Sequence, residues 1–147
     1  MNFPTLSLPP IDAKLKSEGT EAYIFDRIRK KFIQLTPEEW VRQHFIHLLI
    51  DQLGYPVGLF QVERGHTYFG SAKRSDILIF DTSGKSLLLV ECKAPTVLIN
   101  EKALNQVAAY NKTINARYVC LTNGMKHFIW EWKGDKYEQM RNFPVYG

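Results

Sequence analysis

Cysteine is scarce in this chain of 147 residues: Cys92 and Cys120 are the only two, and each sits inside an apolar run. Buried, reduced thiols suit such positions better than a disulfide, which points to the cytoplasm. Long hydrophobic stretches are missing as well. The longest runs, Ile77 to Phe80 and Leu87 to Val90, fall far short of the roughly 20 residues a helix needs to span a bilayer. No membrane is therefore expected among the partners. The opening Met-Asn-Phe-Pro-Thr-Leu has no basic patch leading into an apolar segment, so it does not read as a signal peptide. Of the four histidines, His44 and His47 share a helical face, while His66 and His127 lie near turns. With no cysteine or further histidine in a zinc pattern, none reads as a ligand. Internal repeats and low-complexity tracts are absent too.

What is present is enough for one globular domain. Hydrophobic residues make up 45% of the chain and aromatics 13%, which can fill a core. The expectation is a single domain over 1–147, with residues 1–20 as an extended arm because Pro4, Pro9 and Pro10 disfavour a helix. The net charge is +4. That suits a polyanionic partner but carries little weight alone. Two basic clusters, Arg27/Arg29/Lys30/Lys31 and Lys73/Arg74, could neutralise phosphates, yet clusters this short are more often solvated faces.

Pattern and punctuation give the elements. Short strands are expected at 23–25 and 31–35 around a basic turn. Thr36, Pro37 and Glu39 supply a cap, a first-turn proline and a capping-box acid. Val41, Phe45, Leu48, Leu49 and Leu53 then recur at helical spacing until Gly54, which predicts a helix over about 36–53. Residues 59–63 read as a strand followed by a turn-rich stretch through Gly65 and Gly70. Strands at 76–80 and 87–93 are almost continuously apolar, as central strands are. A helix at 101–112 precedes strands at 117–121 and 128–132, joined through Asn123-Gly124. Phe128, Trp130 and Trp132 alternate on one strand face and are read as covering the sheet. The order gives an α/β domain with a mixed sheet.

The chemistry-bearing anomaly is Glu91 and Lys93 at the end of Leu-Leu-Leu-Val. Strand residues two apart face the same way, so two charged groups share one side of a buried sheet. If 76–80 and 87–93 form a hairpin with a four-residue loop at 82–85, Phe80 sits opposite Leu87 and Asp76 opposite Glu91. Facing carboxylates repel one another, roughly 5 Å apart at Cβ. A hard Mg²⁺ or Mn²⁺ ion, which prefers carboxylate oxygens, would make sense of them. Such an ion would bind a phosphodiester oxygen and acidify a bound water, with Lys93 orienting that water or offsetting charge. The backbone carbonyl of Cys92 would be a further ligand, its thiol pointing into the core. Capping explains Glu39 as well as chemistry does. Arg42, one turn on, could bind phosphate or pair with Glu38 or Glu39. Gln106 and Tyr110 share a helical face that reads as packing with one polar member.

Taken in order, Pro-Glu-Glu-Trp-Val-Arg-Gln (37–43), Lys-Arg-Ser-Asp (73–76), Glu-Cys-Lys-Ala-Pro (91–95), Gln-Val-Ala-Ala-Tyr-Asn (106–111) and Thr-Asn-Gly (122–124) resemble a known family. It is the N-terminal nuclease domain of type I restriction enzyme R subunits, in the RecB-like branch of the PD-(D/E)XK superfamily. The resemblance runs from about residue 23 to 132. It implies a restriction-endonuclease-like fold, a central mixed sheet flanked by helices, and a magnesium- or manganese-dependent DNA nuclease. It also implies that Asp76 and Glu91 bind the metal and that Lys93 is catalytic. Gln106 and Tyr110 match the branch's Gln-x-x-x-Tyr motif, Glu39 its first-helix acid, and Arg74 a basic position on phosphate. Ser75 replaces the family's proline. No helicase motor lies within these residues, so the expectation is a free-standing relative, or a piece working with a helicase or restriction partner or as a homodimer. The alternatives are a DNA-binding or assembly module that keeps the fold, and a purely structural ion cluster.

Overall fold

The structure, a computed structural model, describes residues 3–68 and 71–147, with side chains at every described position outside 64–75. Its expected strand–helix–strand order is present, with additions at both ends. Strands β1 (Leu15–Glu18), β2 (Glu21–Asp26) and β3 (Lys31–Gln34) form a separate antiparallel three-stranded sheet. The expected arm of 1–20 is thus a strand over its last part. Leu15 pairs with Ile24 and Ile24 with Ile33, and the burial of Ile24 between them offsets part of the cost of ordering the segment.

Helix α1 (Pro37–His47) starts as its cap signals require: Thr36 Oγ1 accepts from the N–H of Glu39 at 3.1 Å, with Pro37 in the first turn. It stops sooner than 53. From Leu48 to Gln52 the coil widens into a π-helical turn, with the Leu53 N–H reaching the Leu48 carbonyl. Leu48 and Leu49 at the start of this turn are both buried.

The main sheet holds six strands in the order β4 (Phe60–Tyr68), β5 (Ser71–Phe80), β6 (Ser86–Cys92), β7 (Tyr118–Thr122), β8 (His127–Trp132) and β9 (Tyr137–Met140). Only β6 and β7 pair in parallel, across the crossover through α2 (Glu101–Ile114). Two expectations are corrected. Residues 65–68 are ladder, paired with 71–74 of β5, and the part of the expected turn at 69–70 lies outside the described residues. In the next hairpin, a bulge at Ile79/Phe80 sets Phe80 opposite Ser86 instead of Leu87. Asp81 closes that turn, its Oδ1 accepting from the backbone of Ser83 and Lys85. The rest of the hairpin, Ile77↔Val90 to Ile79↔Leu88, keeps the expected register.

Alternation along β5 and β6 then divides the core. Ile77, Ile79, Leu88 and Val90 pack under α1, while Leu78, Leu89, Val119 and Leu121 pack under α2 with Val107 and Tyr110. Cys92 and Cys120 are buried and free, and burial pushes both thiols up. Among the described residues no helix is long and apolar enough to cross a membrane.

Candidate active site

Register brings the acids together. Ile77↔Val90 is the last β5–β6 pair, so Asp76 and Glu91 are the next residues on two neighbouring strands. On the other flank Val62↔Ile77 and Arg64↔Ser75 bracket Glu63 and Asp76. Three acids therefore stand on adjacent strands. Glu63 takes φ +57, a left-handed conformation that a side chain adopts only at a cost of about 1–3 kcal/mol.

Asp76, 5% exposed, is fixed at both oxygens. Oδ2 accepts the Cys92 N–H at 2.7 Å, at the point where the β5–β6 ladder ends. Oδ1 accepts from Arg42 Nη2 at 2.6 Å. Oxygens of Glu38, Glu63 and Asp76 all lie within 4.8 Å of one another. Glu91, 7% exposed on β6 and in register with Leu121 of β7, is not a member of that trio. Burial and the charge of Asp76 hold the Glu38 carboxyl above its usual range, against the nearby cations Arg42 and Lys93.

Helix α1 supplies the opposing charge. Arg42, 3% exposed, donates from Nη2 to Glu38 at 3.1 Å, and from Nη1 to Glu39 at 2.5 Å. It also pairs with Glu63 at 2.7 Å. Burial would lower its pKa, but Asp76 and Glu39 raise it well beyond the ordinary value. Expected on phosphate or on an acid, Arg42 is occupied by four carboxylates. The Glu39 side chain turns inward: Oε2 accepts from Arg29 at 2.9 Å and from Gln43 at 2.9 Å. Gln43 and Arg29 continue to Asp26. Burial would raise the pKa of Asp26, and the bonds and charge of Arg29 bring it below the usual value.

Of the remaining expected residues, Lys93 is near enough to act on the Glu38 charge, and the others are more dispersed. Lys93 follows Cys92, its backbone N–H on the Thr122 carbonyl at 2.7 Å, which places its half-buried side chain beyond the end of β6. Gln106 is exposed on α2, whereas Tyr110, one turn on, is fully buried in the α2-side core. The side chains of Lys73 and Arg74 lie outside the described residues. Glu63 escaped the sequence reading, and Glu38 entered it as a partner of Arg42, which it is, but not as a member of the acid cluster. The one available signal was the spacing of Glu63 and Asp76 about residues 69–70, which a hairpin there would set opposite each other.

A family model described as the type I restriction enzyme R protein N terminus matches residues 37–144. No curated protein matches. Among solved structures, a fragment assigned to an HsdR subunit of a type I restriction enzyme from Vibrio vulnificus YJ016 superposes with a TM-score of 0.56 at 16% identity. The match covers 76% of this chain and 24% of that one, so the chain spans about a quarter of its length. That likeness establishes the restriction-endonuclease-like fold.

Proposed function

Since the chain belongs to the type I restriction enzyme R protein N-terminal family, we propose that it is a divalent-metal-dependent DNA nuclease that hydrolyses phosphodiester bonds. The observation that carries this reading is the convergence of Glu38, Glu63 and Asp76 oxygens within 4.8 Å at a strand end. Glu91 continues the row, and Lys93 lies two residues further. The donor set fits the ion: hard carboxylate oxygens are what Mg²⁺ and Mn²⁺ prefer. Asp76 and Glu91 would hold it, with the Cys92 carbonyl, and Glu63 or Glu38 would complete the set. Asp76 Oδ2, which accepts the Cys92 N–H, keeps a further lone pair for a cation. When bound, such an ion lowers the pKa of water and polarises a phosphoryl oxygen.

The chain's own groups do the rest. The Cys92 N–H fixes the Asp76 carboxylate. Lys93 brings a compact positive charge that offsets the charge accumulating on phosphorus oxygens. Glu39 holds Arg42, Lys73 and Arg74 would meet the DNA backbone, and Gln106 and Tyr110 would assist from α2. Partners follow from the same reading: DNA first, then a helicase or restriction partner or a second copy.

The test is cleavage of duplex, single-stranded and branched DNA with Mg²⁺ or Mn²⁺. Wild type cuts, and Lys93→Ala loses cutting while keeping its circular dichroism and DNA affinity. Equal inertness of both proteins on all three substrates would leave the DNA-binding or assembly module as the function.

A further inference from the structure

The guanidinium of Arg42 occupies the centre of the acid cluster. A single nitrogen, Nη2, lies 3.1 Å from Glu38, 2.7 Å from Glu63 and 2.6 Å from Asp76. These are the same three residues whose oxygens converge. One Nη carries two hydrogens, so three carboxylates sharing it exceed its directed bonds and treat it as a point charge. The opposite side of the group is not tuned to this pose: Arg42 Nε is buried with no hydrogen-bond partner. Only Nη1 has a fixed anchor, Glu39, which Arg29 and Gln43 hold in turn.

We infer that Arg42 is a resident counter-cation, and that its Nη2 must withdraw before a divalent ion can bind. The inference rests on the nuclease reading. Mg²⁺ takes carboxylate oxygens at about 2.0–2.1 Å. An ion drawing in the Glu63 and Asp76 oxygens would occupy the space where Nη2 sits, so the two cations exclude each other. In the metal-free protein the guanidinium holds the acids together. As metal enters, Nη2 gives up Glu38, Glu63 and Asp76 while Nη1 stays on Glu39. Arg42 therefore lowers the site's affinity for metal, and the withdrawn guanidinium is released beside the ion.

The test is Mn²⁺ binding to the full chain at neutral pH, followed by isothermal titration and by the electron-paramagnetic signal of free Mn²⁺. Arg42→Gln removes the charge and is expected to bind Mn²⁺ at least about tenfold more tightly than wild type. Asp76→Asn should lose binding in either background. Wild-type binding with equal or weaker affinity in Arg42→Gln overturns the inference and leaves the nuclease reading intact. Absence of binding in both proteins overturns both. Should Arg42→Gln not fold, wild type decides by nitrogen-15 NMR of the Arg42 Nε–H during Mg²⁺ titration. A saturable shift of that signal supports withdrawal; bound Mg²⁺ with the signal unmoved rules it out.

Discussion

Arg29 binds Glu39 across two structural units: its Nη2 donates to Glu39 Oε2 at 2.9 Å, while its Nε donates to Asp26 Oδ2 at 2.8 Å. Asp26 closes β2 of the small sheet, and Glu39 lies in the first turn of α1. The small sheet precedes the residues matched by the family model, yet it holds the acid that anchors Arg42. Breaking a buried pair by removing one partner leaves the other charge uncompensated, at about 3–5 kcal/mol. Arg29→Met and Glu39→Gln should each lower unfolding free energy by about that much in urea titrations. The double variant should cost less than the sum, because both act on one network. Additive losses would show that the two residues are independent.

Gly124 stands where no side chain fits. Its φ is +84, and an added Cβ would lie 2.9 Å from Leu6 Cδ2 and 3.0 Å from Val41 Cγ2. Its carbonyl also accepts the Ser7 N–H at 2.8 Å, which fastens the N-terminal segment to the β7–β8 turn. Gly124→Ala should therefore cost about 1–3 kcal/mol, combining left-handed strain with displacement of Leu6. Thermal unfolding with limited proteolysis of the first residues would detect both effects. A melting temperature within a degree of wild type would remove the turn from the stability argument.

These contacts separate what the sequence could reveal from what it could not. Helix α1 and the β5–β6 register were legible because cap chemistry and two-residue alternation are local rules, and the Ile77↔Val90 alignment followed from them. Thr122-Asn123-Gly124 was legible for the same reason: Asn123 Oδ1 accepts from Met125 and Lys126 as a turn requires. The bulge at Ile79/Phe80 was hidden, since nothing in alternation marks an irregular pair. Glu63 was hidden by its left-handed backbone inside a ladder whose neighbours read as turn. Arg42 was placed near Glu38 and Glu39 on helical spacing, but its burial among four acids depends on β5 and β6 packing under α1 and on Glu63 of β4 reaching it. Tertiary packing decided that, not propensity.

His127 gives the fold an acid sensitivity. Its Nε2–H donates to the Ser7 carbonyl at 2.9 Å, and its Nδ1 accepts from the Thr122 hydroxyl at 2.7 Å, so the neutral ring is fully used. Burial holds its pKa below the usual 6.5, with the Ser7 bond opposing, and burial acts likewise on His44. The unfolded chain therefore binds protons first as pH falls. The stability contributed by the neutral rings is complete above pH 6.5 and is lost on descending through the lower folded values. Melting temperature should fall between neutral pH and about pH 5, and His127→Gln should flatten part of that slope. An NMR titration placing His127 above 6.5 would contradict this.

Glu63 offers the sharpest separation between a structural acid and a ligand. It is less buried than Asp76 and bonded to Arg42, so as a purely structural partner its neutralisation would mainly affect the metal-free protein. As a ligand it would instead govern how much the protein gains from metal, because a ligand bound only by the native state stabilises it by mass action. Wild type should melt at higher temperature as Mn²⁺ is raised into the millimolar range. Glu63→Gln should start near the wild-type value without metal and gain markedly less, consistent with about a tenfold weaker site, or roughly 1.4 kcal/mol. If Glu63→Gln instead shows an equal gain from a lowered baseline, the strained acid serves Arg42 alone, and the ion rests on Asp76, Glu91 and Glu38.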